Sequence, residues 1–397
     1  MQLLETFLPP QPTSPVAGRY SVELGLCYRD LGQPEKALEV LVSAAERVRS
    51  LRDNSEVEKY VQELGGVPLD EDRDVDVTYL TNCEGRKIFL GSLTTDGSRL
   101  LGAMNNRASN TGFVRAFDPD TKEWSTLADQ LGQVSSLCVQ GDSLWAGTKE
   151  NGIWRGSLSG DDWKQWTAAD GLPDDRVLTL TATEPALFAS LGTTSAGGVV
   201  RIDEDASVTV LDGKNSPTAA PEHLVIQDNL LLTATRSAFH QLNLETGEWA
   251  RITEVPGRGP ISVFPGRTNA WTSRYRAELV PFSASDEEVE SFSNGWFKPE
   301  PNEGASGFLI HFVIDLGDEV WYGGYPWARF RSVGLYRFNR KTREFRMFNL
   351  RDGFHMSVTY SMSSGVAIGD DLYVSTAAGL ARVSPRYVSD AELQSTN

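Results

Sequence analysis

The stretch Gly141–Arg155, GDSLWAGTKENGIWR, decides the fold. A Gly-Asp turn opens it. A short run carrying one large apolar plug, Trp145, follows, and Lys149–Asn151 then breaks the chain before a second short run begins. Turn residues beside short β-prone runs are the pattern of antiparallel hairpins. Working outward, the same turn and plug return as GSRLLGAM from Gly97, PALFASL from Pro185 and DNLLLTAT from Asp228. They return again as GRTNAWTS from Gly266, GDEVWYGG from Gly317 and GDDLYVST from Gly369. The plugs are Leu101, Trp145, Phe188, Leu231, Trp271, Trp321 and Tyr373, at spacings of 44, 43, 43, 40, 50 and 52 residues. That is the period of a four-stranded propeller blade, roughly 40–50 residues.

A second signal recurs later in the unit. DPDTKEW from Asp118, NLETGEW from Asn243 and NRKTREF from Asn339 each combine an Asx turn, a Thr and an aromatic. Such turns predict the hairpin between a third and a fourth strand. The last copy ends near Pro385 without a fourth strand, and VDVTYL at 75–80 is left over at the front. Pairing the two would close the ring and remove its open edges. The expected fold is therefore all-β, a β-propeller of seven blades, with six or eight also compatible because 261–292 is poorly patterned.

TAADGLPDDRVLTLTA from Thr167, with GDSLWAGTKENGIWR and GDDLYVSTAAGLARV, resembles the repeat of two-component-regulator-type propellers. The resemblance implies the fold. It leaves function open, because one fold serves many. In front, YSVELGLCYRDLGQPEKALEVLVSAAERV from Tyr20 has helical spacing broken at Gly32–Pro34. Leu24, Gly25, Tyr28, Gly32, Ala37, Leu41 and Ala44 resemble one tetratricopeptide repeat, although Ser21 and Arg49 depart from its Trp and Pro. A third helix is expected at 55–64. The expected division is a helical segment over 1–66, a linker over 67–74 with the acidic run DEDRD, the propeller over 75–385 and a tail over 386–397.

A net charge of −17 disfavours nucleic acid and anionic membrane as partners. No apolar run approaches a membrane span. MQLLETFLPP lacks the pattern of a signal peptide, so the sequence as written predicts a cytoplasmic protein. Cys27, Cys83 and Cys138 are isolated and read as buried free thiols. No cofactor or metal motif is present, and none is expected.

Strand alternation sends the loops between second and third strands, and the connections between blades, to one face. Loops on a rigid scaffold are where function concentrates. Arg107, Arg176, Arg236, Arg258, Arg274, Arg329 and Arg331 fall in this set, with Tyr275, Tyr325, Trp327, His223 and His355. Guanidinium forks match carboxylate, sulfate or phosphate, so the set predicts a site for an anionic small molecule or glycan. Asp174, Asp175, Glu150, Glu222 and Glu300 share these loops, and simple salt bridging is the competing explanation. His311, His355 and Tyr325 are the candidates for a base, by analogy with propeller lyases that pair a His or Tyr with Arg. His240 reads as a packed sheet residue. The expected function is a ligand- or protein-binding module. Competing readings are a lyase or hydrolase acting on an anionic polysaccharide, and a sensor fragment of a larger signalling protein.

Overall fold

The computed structural model describes residues 15–45, 57, 59–61, 63–64, 73–81, 88–106, 108–193, 195–235, 238–254, 262–267, 270–274, 278–281, 308–326, 335–348, 352–354 and 362–386. Seven antiparallel sheets follow one another among the described residues. Blade 1 is Leu93–Thr95, Leu100–Asn106, Thr111–Asp118 and Glu123–Ala128. Blade 2 is Val134–Gln140, Ser143–Thr148, Ile153–Ser157 and Lys164–Trp166. Blade 3 is Val177–Ala182, Leu187–Gly192, Gly197–Ile202 and Val208–Val210. Blade 4 is Leu224–Gln227, Leu230–Ala234, Ala238–Asn243 and Trp249–Glu254. Blade 5 shows three strands among the described residues, Ser262–Phe264, Trp271–Arg274 and Glu278–Pro281. Blade 6 is Phe308–Asp315, Glu319–Pro326, Leu335–Asn339 and Phe345–Phe348. Blade 7 is Met362–Ile368, Asp371–Thr376 and Gly379–Pro385, completed by Val75–Tyr79. First strands touch in succession, from blade 1 to blade 7 and back to blade 1, so the sheets form a closed propeller with these strands innermost.

Closure is made by an antiparallel ladder from Val75↔Pro385 to Tyr79↔Ala381. Val75 is fully buried in it. The Arg386 amide donates to Asp74 O at 2.7 Å, and its guanidinium forks onto both Asp76 oxygens, which holds that carboxyl below its usual range. Asp74 also reaches Arg337 at 2.6 Å and Arg346 at 2.7 Å, tying the closing strand to blade 6. The acidic run before the propeller thus ends in a clamp and not wholly in solvent.

All seven plugs are buried, and Trp321, Tyr373, Leu101 and Leu231 are completely so. Several carry an arginine from the third strand. Arg155 lies over Trp145 at 5.2 Å and Arg337 over Trp321 at 5.5 Å, while Arg382 pairs across from Tyr373. Arg340, from the turn after a third strand, lies over Trp271 of the neighbouring blade at 5.0 Å. Three of these cations are neutralised locally: Arg337 by Asp74 at 2.6 Å, Arg340 by Asp315 at 2.7 Å and Arg382 by Asp371 at 2.5 Å, while Arg155 donates to Ser143 Oγ. Asp315 also accepts from Trp271 Nε1 and from the amides of Arg267 and Gly317. Burial pushes its pKa up, but these donors more than offset that, and the carboxyl sits below its ordinary range.

The three Asx turns are built alike. Asp118, Asn243 and Asn339 each accept two backbone amides on the side-chain oxygen. The fifth residue of each turn has a left-handed backbone: Lys122 at φ 61°, Gly247 at 71° and Arg343 at 60°. Only the second uses glycine, which adopts that region freely.

The helical segment forms a hairpin of Pro15–Asp30 and Pro34–Ala45, turned by Gly32 at φ 70°. A Cβ on Gly25 would meet Leu41 Cγ at 2.6 Å, which is why the helices approach so closely there. Val57 and Val61 of the expected third helix pack with Leu41 and Val42. Cys27 and Cys138 are free but only half-buried, and Cys83 lies outside the described residues. Desolvation pushes the Cys138 thiol up to about 12, so it is chemically quiet.

Deleting residues 1–80 removes the fourth strand of blade 7. The expected loss is roughly 4–7 kcal/mol, from one buried valine and the ladder of about five residues. Chemical denaturation checks it, and an unchanged midpoint would overturn the closure. Lys122→Gly should stabilise the protein by about 0.5–1 kcal/mol by relieving the left-handed backbone, read as a rise in denaturation midpoint at constant slope.

Candidate functional site

In every blade the start of the first strand, the end of the second and the start of the third lie at one face, because neighbours are antiparallel. Arg176 reaches this face directly before Val177, and its side chain is exposed. The two acids beside it are already engaged. Asp174 Oδ1 accepts the Arg176 amide at 2.8 Å, and Asp175 Oδ1 accepts the Ala168 amide at 2.7 Å. Among the described residues no carboxylate pairs with the Arg176 guanidinium. Arg274 ends the second strand of blade 5 opposite Glu278, and Tyr325 stands near the end of the second strand of blade 6 opposite Leu309. Their backbones therefore share the face of Arg176. Arg107, Arg236, Arg258, Tyr275, Trp327, Arg329, Arg331 and His355 lie outside the described residues.

The first strands carry a repeated irregularity at this end. In blades 2, 3, 6 and 7 one extra residue enters the first strand: Ser135, Leu178, His311 and Ser363. A β-bulge leaves its extra residue unpaired and re-aims the side chain. The next residue then bridges to the following blade. Ser136 Oγ accepts the Leu180 amide at 3.1 Å, and Ser364 Oγ accepts the Leu93 amide at 3.1 Å. Blade 6 has Phe312 in that place. Its ring fills the space left by Gly323 and Gly365, where an added Cβ would come within 2.7 and 2.5 Å.

His311 is thus on the bulge of an inner strand, partly exposed, with Nδ1 3.1 Å from Met362 O. A carbonyl only accepts, so Nδ1 carries the proton and Nε2 keeps its lone pair. Burial lowers the pKa of His311, partly countered by the bond to Met362 and by the Glu222 charge. Burial also lowers His223, to about 4, and the neighbouring His311 adds to this. His223 packs on Phe264 with ring centroids 5.0 Å apart, and Phe264 belongs to the same buried cluster as Ile310. His223, on the connection before blade 4, thus packs toward the inner strand of blade 6 that carries His311. The sequence put Glu222 and His223 in the connection between blades and His311 on an inner strand. His240, by contrast, is buried in its sheet with Nδ1 2.8 Å from Asn215 O, a packed residue as expected. Among the described residues no three His, Cys, Asp or Glu side chains are arranged to hold a metal ion.

The class of protein defined by this architecture is the β-propeller. Solved structures of that shape include virginiamycin B lyase from Staphylococcus aureus, with TM-score 0.56, 12% identity, and coverage of 79% of this chain and 99% of that one. YCF48 bound to D1 peptide matches with TM-score 0.55, 12% identity and coverage of 80% and 99%. The WD40 β-propeller domain of Doa1 matches with TM-score 0.50, 13% identity and coverage of 79% and 98%. Identities this low establish the fold alone. No family model matches the chain, and no curated protein matches it. Nothing in these comparisons supports the tetratricopeptide resemblance of the helical hairpin. No helix among the described residues is long and apolar enough to cross a membrane.

His223 should remain neutral down to about pH 4 in the folded protein. An ordinary imidazole near 6.5 in the unfolded chain binds its proton sooner. The folded pKa is the lower one, so His223 costs stability as pH falls from about 6.5 to about 4. NMR titration of its ring protons checks this, and a midpoint near 6.5 would contradict the desolvated placement.

Proposed function

We propose that this chain is a binding module, and that it takes an anionic ligand on the face carrying the inter-blade connections and the second-to-third-strand loops. The observation that carries the reading is the guanidinium of Arg176. It stands exposed on this face without a carboxylate among the described residues, while Asp174 and Asp175 beside it each accept a backbone amide. On the opposite face, arginines such as Arg340 and Arg382 are neutralised beside their aromatic plugs. An arginine left unneutralised is a donor available to a ligand. Arg274 and Tyr325 extend the same face, and the arginines of the other loops follow by their place in the repeat. A glycan bearing carboxylate or sulfate, or an acidic protein segment, meets the requirement.

A second reading, a lyase or hydrolase acting on such a polymer, is favoured by one feature. His311 holds its proton at Nδ1 against Met362 O, which leaves Nε2 with its lone pair. One neighbour in fold is a lyase, which makes the chemistry compatible with the scaffold and nothing more.

Calorimetric titration with sulfated and uronic-acid oligosaccharides tests both. Binding should weaken with rising ionic strength, and an Arg176→Ala, Arg274→Ala double variant should lose about tenfold or more in affinity, about 1.4 kcal/mol. Binding that ignores the double variant, or its absence with every such probe, would sink the anionic reading. Unsaturated-product absorbance that disappears in His311→Ala would establish the second reading over the first.

A further inference from the structure

A second cation stands on a loop bonded to that of Arg176. Lys149 opens the loop between the second and third strands of blade 2 and is exposed. Among the described residues no carboxylate lies within ion-pair distance of its ammonium. Its loop is tied to the connections on both sides. The Lys149 amide donates to Gln133 O and the Gly152 amide to Asp175 O, each at 2.8 Å. Arg176 is fixed in turn, since its carbonyl accepts the Gly192 amide at 2.8 Å. Ser135 Oγ donates to Val177 O at 2.7 Å and to Gly147 O at 3.1 Å, which joins the strand ends from which the two loops depart. Lys149 and Arg176 therefore belong to one hydrogen-bonded shelf across blades 2 and 3. The shelf also carries acids. Glu150 follows Lys149, and Asp174 stands two residues before Arg176; both are exposed. Glu150 Oε2 accepts from Asn110 Nδ2 at 3.2 Å, and Asp174 Oδ1 accepts the Arg176 amide at 2.8 Å, which engages one oxygen of each.

We propose that this shelf takes a chain of uronic acids, with one carboxylate to each sugar, and rejects densely sulfated chains. The inference rests on the reading of this face as an anion site, and it names the anion. The argument is the alternation of charge along the two loops. A ligand with separated carboxylates can set them on Lys149 and Arg176, the second through a guanidinium fork. Its free hydroxyls then donate to Glu150 and Asp174. Ionised carboxylates only accept, so they need such donors. A fully sulfated chain has no hydroxyl left to give. It would bring anionic groups against both acids, and like charges at contact range repel. The net charge of −17 offers such a chain no long-range attraction in compensation. Glu150 and Asp174 are thus the residues that set specificity, while Lys149 and Arg176 hold the anion.

The test is calorimetric titration of the full chain with tetragalacturonate, its methyl ester and persulfated maltotetraose. Tetragalacturonate should bind about tenfold or more tightly than the sulfated chain, although it carries fewer charges, and the ester should not bind. Lys149→Ala and Arg176→Ala should each weaken tetragalacturonate about fivefold or more. The double variant Glu150→Gln, Asp174→Asn should raise affinity for the sulfated chain about tenfold and weaken tetragalacturonate. All four side chains are exposed, and the amides retain the oxygens that accept from Asn110 and Arg176, so an unchanged thermal midpoint controls for folding. Tighter binding of the sulfated chain, tetragalacturonate binding indifferent to Lys149→Ala, or a selectivity unmoved by the double variant would each overturn this inference and leave the anionic reading standing. Binding of neither chain would overturn both.

Discussion

The pairing of Val75–Tyr79 with Gly379–Pro385 is the constraint on which the molecule depends. A ring of sheets has no internal stop, and each blade is braced only by its neighbours. Without the Val75–Tyr79 strand, Gly379–Pro385 becomes an unpaired outer edge, and the chain entering blade 1 is no longer tied to blade 7. The ladder is reinforced where it is most exposed. Arg386 forks onto Asp76, and Asp74 reaches back to Arg337 and Arg346. Exposed ion pairs are worth little singly. The buried side chain of Val75 and the backbone ladder supply most of the hold.

With the ring closed, the two faces take different tasks. At the hairpin face the plugs carry their own counter-charges, as in the Trp271, Arg340 and Asp315 assembly that joins blades 5 and 6. Arg337, Arg340 and Arg382 there are spent on structure. At the other face the aspartates stabilise loops instead, which leaves Arg176 available. Serine hydroxyls stitch inner strands together between blades, from Ser364 to Leu93, Ser92 to Leu137 and Ser136 to Leu180. Where the stitching gives way to Phe312, the residue before it is His311. Rigid inner strands and a re-aimed side chain are the conditions under which a binding group can be held in place.

The blade period, the plug positions and the closing strand were legible because each is local and repeated. A turn residue, a large apolar side chain and a fixed spacing leave their mark whatever the neighbours do. The three Asx turns at Asp118, Asn243 and Asn339 were legible for the same reason, down to the left-handed fifth position that only Gly247 announces by type. Asp74 was not legible. In sequence it ends an acidic run before the propeller, and its partners Arg337 and Arg346 lie far along the chain.

By itself, the sequence determined the all-β repeat, its closure through the two ends of the propeller and the face on which the inter-blade loops gather. Each follows from strand alternation and side-chain burial, which are properties of short segments. Only the tertiary structure decided which polar groups on that face are free and which are spent. Arg176 stands without a carboxylate among the described residues while Asp174 and Asp175 accept backbone amides, and a bulge in one inner strand lifts His311 out of the ladder. Those outcomes depend on the competition among partners brought together through space, and no spacing along the chain encodes it.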